Sequence, residues 1–84
     1  MTYSVEMLRS AQRQLAKVDR QDQDRIISAI HGLANEPRPP GSKKLSGRPA
    51  WRIRVGVYRV IYEIQDDRLL VLVIAIGHRR EVYR

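Results

Sequence analysis

Cysteine is missing from all 84 residues, which removes disulfide scaffolds, thiolate nucleophiles and Cys-based zinc or iron–sulfur sites together. Histidine is scarce: His31 and His78 are the only two, too few for a dedicated metal cage, and no cofactor is expected. Long hydrophobic runs are wanting as well. The longest, residues 69–76, has 8 residues against the roughly 20 of a membrane helix, so it reads as a buried strand and no contact with a membrane is expected. The first residues, from Met1 to Arg9, hold no basic stretch leading into an apolar one, so no export signal is read and a cytoplasmic location follows. There is no internal repeat and no low-complexity tract. At 9.8 kDa, with 43% apolar residues and a mean hydropathy of −0.45, the chain reads as a single globular domain over residues 1–84, without room for a second.

Positive charge is abundant and unevenly placed. Lys and Arg number 16 against 9 Asp and Glu, a net +7. Over residues 1–42, Arg9, Arg13, Lys17, Arg20, Arg25 and Arg38 are nearly balanced by Glu6, Asp19, Asp22, Asp24 and Glu36, leaving +1. Residues 43–84 carry the remaining +6. A field of this kind, with pI near 10.6, concentrates polyanions, so nucleic acid, an anionic membrane or an acidic protein are the partner classes it favours, membrane being the weakest.

Tyr3, Val5 and Met7 alternate with Ser4 and Glu6 and predict a short first strand with one buried face. Ala11, Leu15 and Val18 then recur beside Arg13 and Lys17 at helical spacing, predicting an amphipathic helix over residues 9–18. Asp19 or Asp22 can cap a second helix, whose stripe of Ile26, Ile27, Ile30, Leu33 and Ala34 keeps the helical period to Asn35. Between Asn35 and Ala50, Pro37, Pro39, Pro40, Gly41, Gly47 and Pro49 break any helix or strand, and a connection this long in a small domain is either floppy or functional. It reads as a surface loop pinned by Leu45, with Lys43, Lys44 and Arg48 in solvent. Gly41-Ser42-Lys43-Lys44 lacks the spacing and the preceding strand of a phosphate loop.

Trp51, Ile53 and Val55 alternate with Arg52 and Arg54. After a tight turn around Gly56, Val60, Tyr62 and Ile64 alternate with Arg59, Ile61 and Glu63, so the two segments predict a hairpin. Asp66 and Asp67 turn the chain into the last strand, over residues 69–76, apolar on both faces and therefore central. The expected fold is α+β in the order β-α-α-β-β-β: a helical hairpin packed on one face of a mainly antiparallel four-stranded sheet, with a basic open face opposite. Strand parity carries this further. If Trp51, Ile53 and Val55 face the helices, Arg52 and Arg54 face the other way and Arg59 joins them. Like charges on neighbouring strands destabilise by about 0.2–1 kcal/mol per close pair, so the fold gains nothing from the cluster, whereas a bound polyanion would.

Four ordered segments carry a resemblance to a known family: Leu45-Ser46-Gly47, Trp51-Arg52-Ile53-Arg54-Val55, Tyr58-Arg59-Val60-Ile61-Tyr62 and Gly77-His78-Arg79-Arg80-Glu81-Val82-Tyr83. Together with the element order, they make the chain similar to the RelE/ParE superfamily of bacterial toxins over nearly its whole length. The resemblance implies the toxin of a type II toxin–antitoxin module, a RelE-like endoribonuclease that cuts mRNA in the ribosomal A site without a metal. In that chemistry the 2′-hydroxyl attacks its own phosphodiester and leaves a 2′,3′-cyclic phosphate and a 5′-hydroxyl. It further implies a cognate acidic, RelB-like antitoxin, with operator DNA contacted only through the toxin–antitoxin complex.

Carried over residue by residue, Arg52 and Arg54 fall where RelE-like toxins hold paired basic residues on the second strand. Arg59 falls on the arginine that contacts the scissile phosphate, Arg79 on one that helps protonate the leaving oxygen, and Tyr83 on a terminal tyrosine that stacks on a base. Lys43, Lys44, Arg48 and Arg80 are expected to add contacts to RNA. The chain departs from RelE itself, which has lysines at Arg52 and Arg54, and it places His78 beside Arg79, where related toxins vary.

Developing negative charge on phosphoryl oxygens is what preorganised guanidinium groups offset, so Arg52, Arg54 and Arg59 read as electrostatic stabilisers. None is a ready general base, because deprotonating an arginine at pH 7 costs roughly 7 kcal/mol. His78, at a strand exit from which a side chain can reach the open face, is a general base or acid, or else a stacking or structural residue. Tyr83 either offers a π-face to an unstacked base or tucks against the sheet edge. Glu63 and Glu81 are the carboxylates nearest the cluster and read as orienting groups. Trp51 reads as core and His31 as surface. Two readings stand beside the nuclease: a ParE-like toxin acting on DNA gyrase, and a basic module that binds nucleic acid without cutting it.

Overall fold

Side-chain polarity repeats with a period of two at both ends of the chain and with a helical period between them, and the backbone follows it. The computed structural model, which describes residues 2–78, runs β1 (Ser4–Met7), α1 (Arg9–Ala16), α2 (Arg20–Gly32), β2 (Lys43–Lys44), β3 (Trp51–Val55), β4 (Tyr58–Gln65) and β5 (Leu70–His78). The strands form one sheet in the order β1-β5-β4-β3-β2. The β1–β5 pair is parallel and the other pairs are antiparallel. β5 lies inside the sheet, as its apolar faces require.

The sheet has five strands rather than the four that the pattern predicts, because part of the long loop pairs with β3 as β2. Two residues between proline-rich flanks are too few to show an alternation, and only the pairing of Lys43 with Arg52 and of Lys44 with Trp51 defines the strand. β5 starts at Leu70 because Leu69 takes a left-handed conformation, φ 50°, closing the 3₁₀ turn Asp66–Arg68, and it continues past the apolar run to His78. Gly56, at φ 61°, supplies the left-handed residue that a two-residue hairpin loop demands.

α1 ends at Ala16, two residues before the expected limit, so that Val18 can turn into the core between the helices. Asp19 occupies the N-cap of α2 but makes no side-chain capping bond. The amide of Gln23 instead donates to the carbonyls of Leu15 and Val18 at 3.1 and 2.8 Å, tying the first turn of α2 back to the end of α1. The buried stripe of α2 is Ile26 and Ile30, with Leu33 just beyond the helix end at the C-cap. Ile27, expected in that stripe, is 37% exposed, because one residue along a helix rotates a side chain by about 100°.

The core lies between the helices and one sheet face, where Ala11, Val18, Ile26, Ile30 and Leu33 meet Ile53, Val60, Tyr62, Val71, Val73 and Ile76. Trp51 is half-buried rather than fully core, and the Arg38 guanidinium lies 5.2 Å from its ring centroid as a cation–π contact. The fully buried Tyr62 donates its hydroxyl to the carbonyl of Pro37 at 2.7 Å, fixing the start of the long loop to the sheet.

A bulge interrupts the β4–β5 ladder. Ile61 pairs with Ala75 while Tyr62 pairs with Val73, so Ile74 is left without a partner. The extra residue reverses the parity of β5: Val71 and Val73 face the core before it, Ile76 after it. Ala75 and Gly77 are thereby turned to the face opposite the helices.

Burial pushes the Tyr62 phenol up to about 12, only partly offset by the Ser42 hydroxyl and the Arg38 charge. A raised folded-state value stabilises the fold below the ordinary value near 10 and loses that contribution as pH rises through 12. Tyr62→Phe is expected to cost about 1–2 kcal/mol at neutral pH, with the gap from the parent narrowing at pH 11. Urea unfolding at both pH values measures it, and a constant gap would refute the assignment.

Candidate functional site

The open face of the sheet is written by register. Lys43, Arg52, Ile61 and Ala75 lie across it in one row, and Arg54, Arg59 and Gly77 in the next. Arg54 and Arg59 are direct cross-strand partners, which brings like charges together at a cost to the sheet. Past the bulge, β5 sets two small residues, Ala75 and Gly77, opposite Ile61 and Arg59. Arg52, Arg54 and Arg59 therefore share one face, as parity predicts.

They differ in exposure. Arg54 is exposed and Arg59 half-buried, whereas Arg52 is 5% exposed. An open Arg52 was the expectation, and the reason it is closed in is the unforeseen β2, which runs alongside and sets Lys43 opposite it. The Arg52 Nε is buried and has no hydrogen-bond partner among the described residues. Two hollows adjoin it: one of about 330 Å³ is lined by Pro40, Gly41, Lys43, Arg52, Ile53 and Arg54. The other, of about 440 Å³, is lined by Lys43, Lys44, Leu45, Ser46, Arg48 and Arg52. Lys44 stands opposite Trp51 and lines the larger hollow together with Lys43.

His78 is not brought to this face. It pairs with Tyr58 across β4 and β5, and the two rings meet edge to face, centroids 6.2 Å apart. Tyr58 packs against the core cluster, so both rings lie on the helix side. Without the bulge, the alternation that puts Leu70 and Leu72 on the open face would have carried His78 there too. Both rings line a separate hollow of about 590 Å³, whose wall includes Gln14, Lys17 and Val18. The Gln14 side-chain carbonyl accepts from the Ile76 backbone N–H at 2.8 Å, substituting for a strand where β1 has ended. Arg79, Arg80, Glu81 and Tyr83 lie outside the described residues.

Arg38 and Asp66 form a brace that no local pattern of residues signals. The Arg38 guanidinium meets the Asp66 carboxylate at 2.9 Å, and the Tyr3 hydroxyl donates to the same carboxylate at 2.6 Å. Arg38 first, and Tyr3 with it, hold the Asp66 carboxyl below its ordinary range. The bond to Asp66 pushes the Tyr3 phenol and the Arg38 guanidinium up. With the Trp51 contact, the brace fixes residues 37–42, the wall of the smaller hollow on the basic face. The other ion pair among the described residues joins Asp22 to Arg25, far in sequence from the basic rows. Glu63 opposes Leu72 on the open face. Among the described residues no three His, Asp or Glu side chains are grouped to hold a metal ion, and no helix is long and apolar enough to cross a membrane.

Buried guanidinium donors and a cross-strand arginine pair on one face can grip the non-bridging oxygens of a phosphodiester through charge-assisted hydrogen bonds. They can also offset charge that builds on those oxygens during transfer. Arginine cannot remove a proton at neutral pH, so proton transfer needs other groups.

Comparison with known proteins gives a consistent picture. The family model described as the ParE toxin of the type II toxin–antitoxin system parDE matches residues 5–83. The toxin RelG of Mycobacterium tuberculosis is 30% identical over 88 aligned residues, covering 100% of this chain and 99% of that protein. The toxin–antitoxin complex RelBE2 from the same organism superposes with a TM-score of 0.82 at 27% identity, over 94% of this chain and 100% of the matched one. The archaeal RelE–RelB complex of Pyrococcus horikoshii reaches 0.85 at 25% identity, over 98% and 100%.

A buried cation with an orphan donor contributes nothing to folding, so Arg52→Met is expected to leave the unfolding free energy unchanged or raise it by about 1 kcal/mol. Thermal and urea unfolding measure this. A clear loss would make Arg52 a structural part of the sheet.

Proposed function

The chain belongs to the ParE toxin family, within the RelE/ParE superfamily of type II toxin–antitoxin toxins, and we propose that it is a ribosome-dependent endoribonuclease that cuts mRNA in the A site. The observation that carries this reading is the Arg54–Arg59 cross-strand pair, next to the buried Arg52 on the face away from the helices. The 2′-oxygen of the substrate attacks the adjacent phosphorus and the P–O5′ bond breaks, giving a 2′,3′-cyclic phosphate and a 5′-hydroxyl. Arg54 and Arg59 offset the charge that gathers on the non-bridging oxygens.

Proton transfer is not assigned to His78, whose ring pairs with Tyr58 on the helix side. Arg79 and Tyr83 keep the roles that the resemblance gives them, protonating the leaving oxygen and stacking on a base. Lys43, Lys44, Arg48 and Arg80 add charge along the RNA path. The ribosome supplies part of the geometry, so cleavage of free RNA is expected to be weak. An acidic, RelB-like antitoxin, the partner class present in the superposed complexes, covers the basic face in the cell and carries any contact to operator DNA.

The match to a family model named for the ParE toxin favours a second reading, the ParE-like toxin acting on DNA gyrase that the resemblance also allows. Induction in bacteria followed by primer extension on translated messages separates the two. Discrete cuts are expected, falling about 10²–10³-fold in Arg59→Ala, the size of effect seen when one preorganised donor is removed. Growth arrest with intact messages and altered DNA topology would establish the gyrase reading instead.

A further inference from the structure

Arg52 is the buried charged residue among the described side chains, and the charged residues that line the hollows beside it are all of its own sign. Lys43 stands opposite on β2, Arg54 lies two positions along β3, and Arg48 lines the same hollow. A buried guanidinium donor without an acceptor is costly. The group able to repay that cost carries negative charge and comes from outside the described residues.

We infer that Lys43 and Arg52 form a second phosphate seat beside the Arg54–Arg59 pair, so that the face grips two successive phosphates of one RNA strand. The inference rests on the proposed function for which phosphate reacts: the Arg54–Arg59 row takes the linkage that is cut, and the Lys43–Arg52 row takes its neighbour. Three observations meet here. The rows lie on one face and are two residues apart along β3, about 7 Å at strand rise, a distance one nucleotide of an extended single strand can span. The smaller hollow joins Lys43 and Arg52 to Arg54, giving a continuous path from one seat to the next. The larger hollow continues from the same two residues to Lys44 and Arg48, so the strand has a basic exit over the long loop. Arg52 is then a positioning residue for the reaction: it places the reacting linkage by holding the adjacent one, and it is already desolvated before RNA arrives.

The test uses the full chain and a short, uncleavable 2′-O-methyl oligoribonucleotide, with binding measured across a salt series. Each phosphate contact on a single strand contributes about 0.7 to the slope of log K against log salt. Lys43→Ala and Arg52→Gln are each expected to lower that slope by about this amount. The double variant should lower it no further than either alone, because both side chains serve one phosphate, and Arg52→Lys should retain most of it. Lys43 sits on an exposed edge strand, so its variant tests the seat without disturbing the core. In ribosomal cleavage, Arg52→Gln should raise the concentration needed for half-maximal cutting while the saturated rate stays well above that of Arg59→Ala. Unchanged slopes, or additive losses from two separate phosphates, would overturn the second seat. So would retained RNA binding with loss of an acidic peptide's binding, which would make the seat a carboxylate site. An Arg52→Gln rate as low as that of Arg59→Ala would place Arg52 at the reacting linkage. Because the salt series needs no cleavage, absence of nuclease activity with the expected slopes would remove the proposed function and leave the second seat standing.

Discussion

The register between β3 and β4 is the constraint on which the basic face depends. Pairing Ile53 with Val60 and Arg54 with Arg59 puts one pair in the core and the other outside it. A slip of one residue would exchange them, burying guanidinium groups among Ile26, Ile30 and Leu33. The left-handed Gly56 fixes the loop length at one end of the hairpin, and the buried Tyr62 hydroxyl on the Pro37 carbonyl ties β4 to the long loop toward the other. Apolar burial on one face thus holds together charges that repel on the other, and the repulsion is the cost of a surface preorganised for an anion.

The bulge at Ile74 decides which residues of β5 border the face. It turns Ala75 and Gly77 toward the arginines and Ile76 toward the helices. The same single-residue insertion turns His78 away to meet Tyr58. One backbone irregularity therefore decides which side chains share the basic face, and it separates the His78 imidazole from the guanidinium rows.

The long loop acts as a wall with its own supports. Arg38, Asp66, Tyr3 and Trp51 are distant in sequence, yet they hold the loop against both ends of the sheet. From there the chain enters β2, and Lys43 is delivered opposite Arg52. Charge concentrated in this way attracts polyanions in general, which is what the proposed function asks of this face.

Much of this was legible in the residues themselves. The alternation of Trp51, Ile53 and Val55 with Arg52 and Arg54 states both the strand and its two faces, because the period of a strand is fixed by the backbone. The helical spacing of Ala11, Leu15, Ile26 and Ile30 states the covering layer for the same reason, and the four ordered segments state the family. Other features depend on contacts between positions that no local period connects. The two-residue β2, the bulge that sends His78 to the helix side, the closing-in of Arg52 and the Arg38–Asp66 brace each arise only when distant segments meet. Local sequence determined which residues carry charge and which carry the core; the tertiary structure alone decided which of those charges stand together, since pairing register and burial are properties of the assembled sheet.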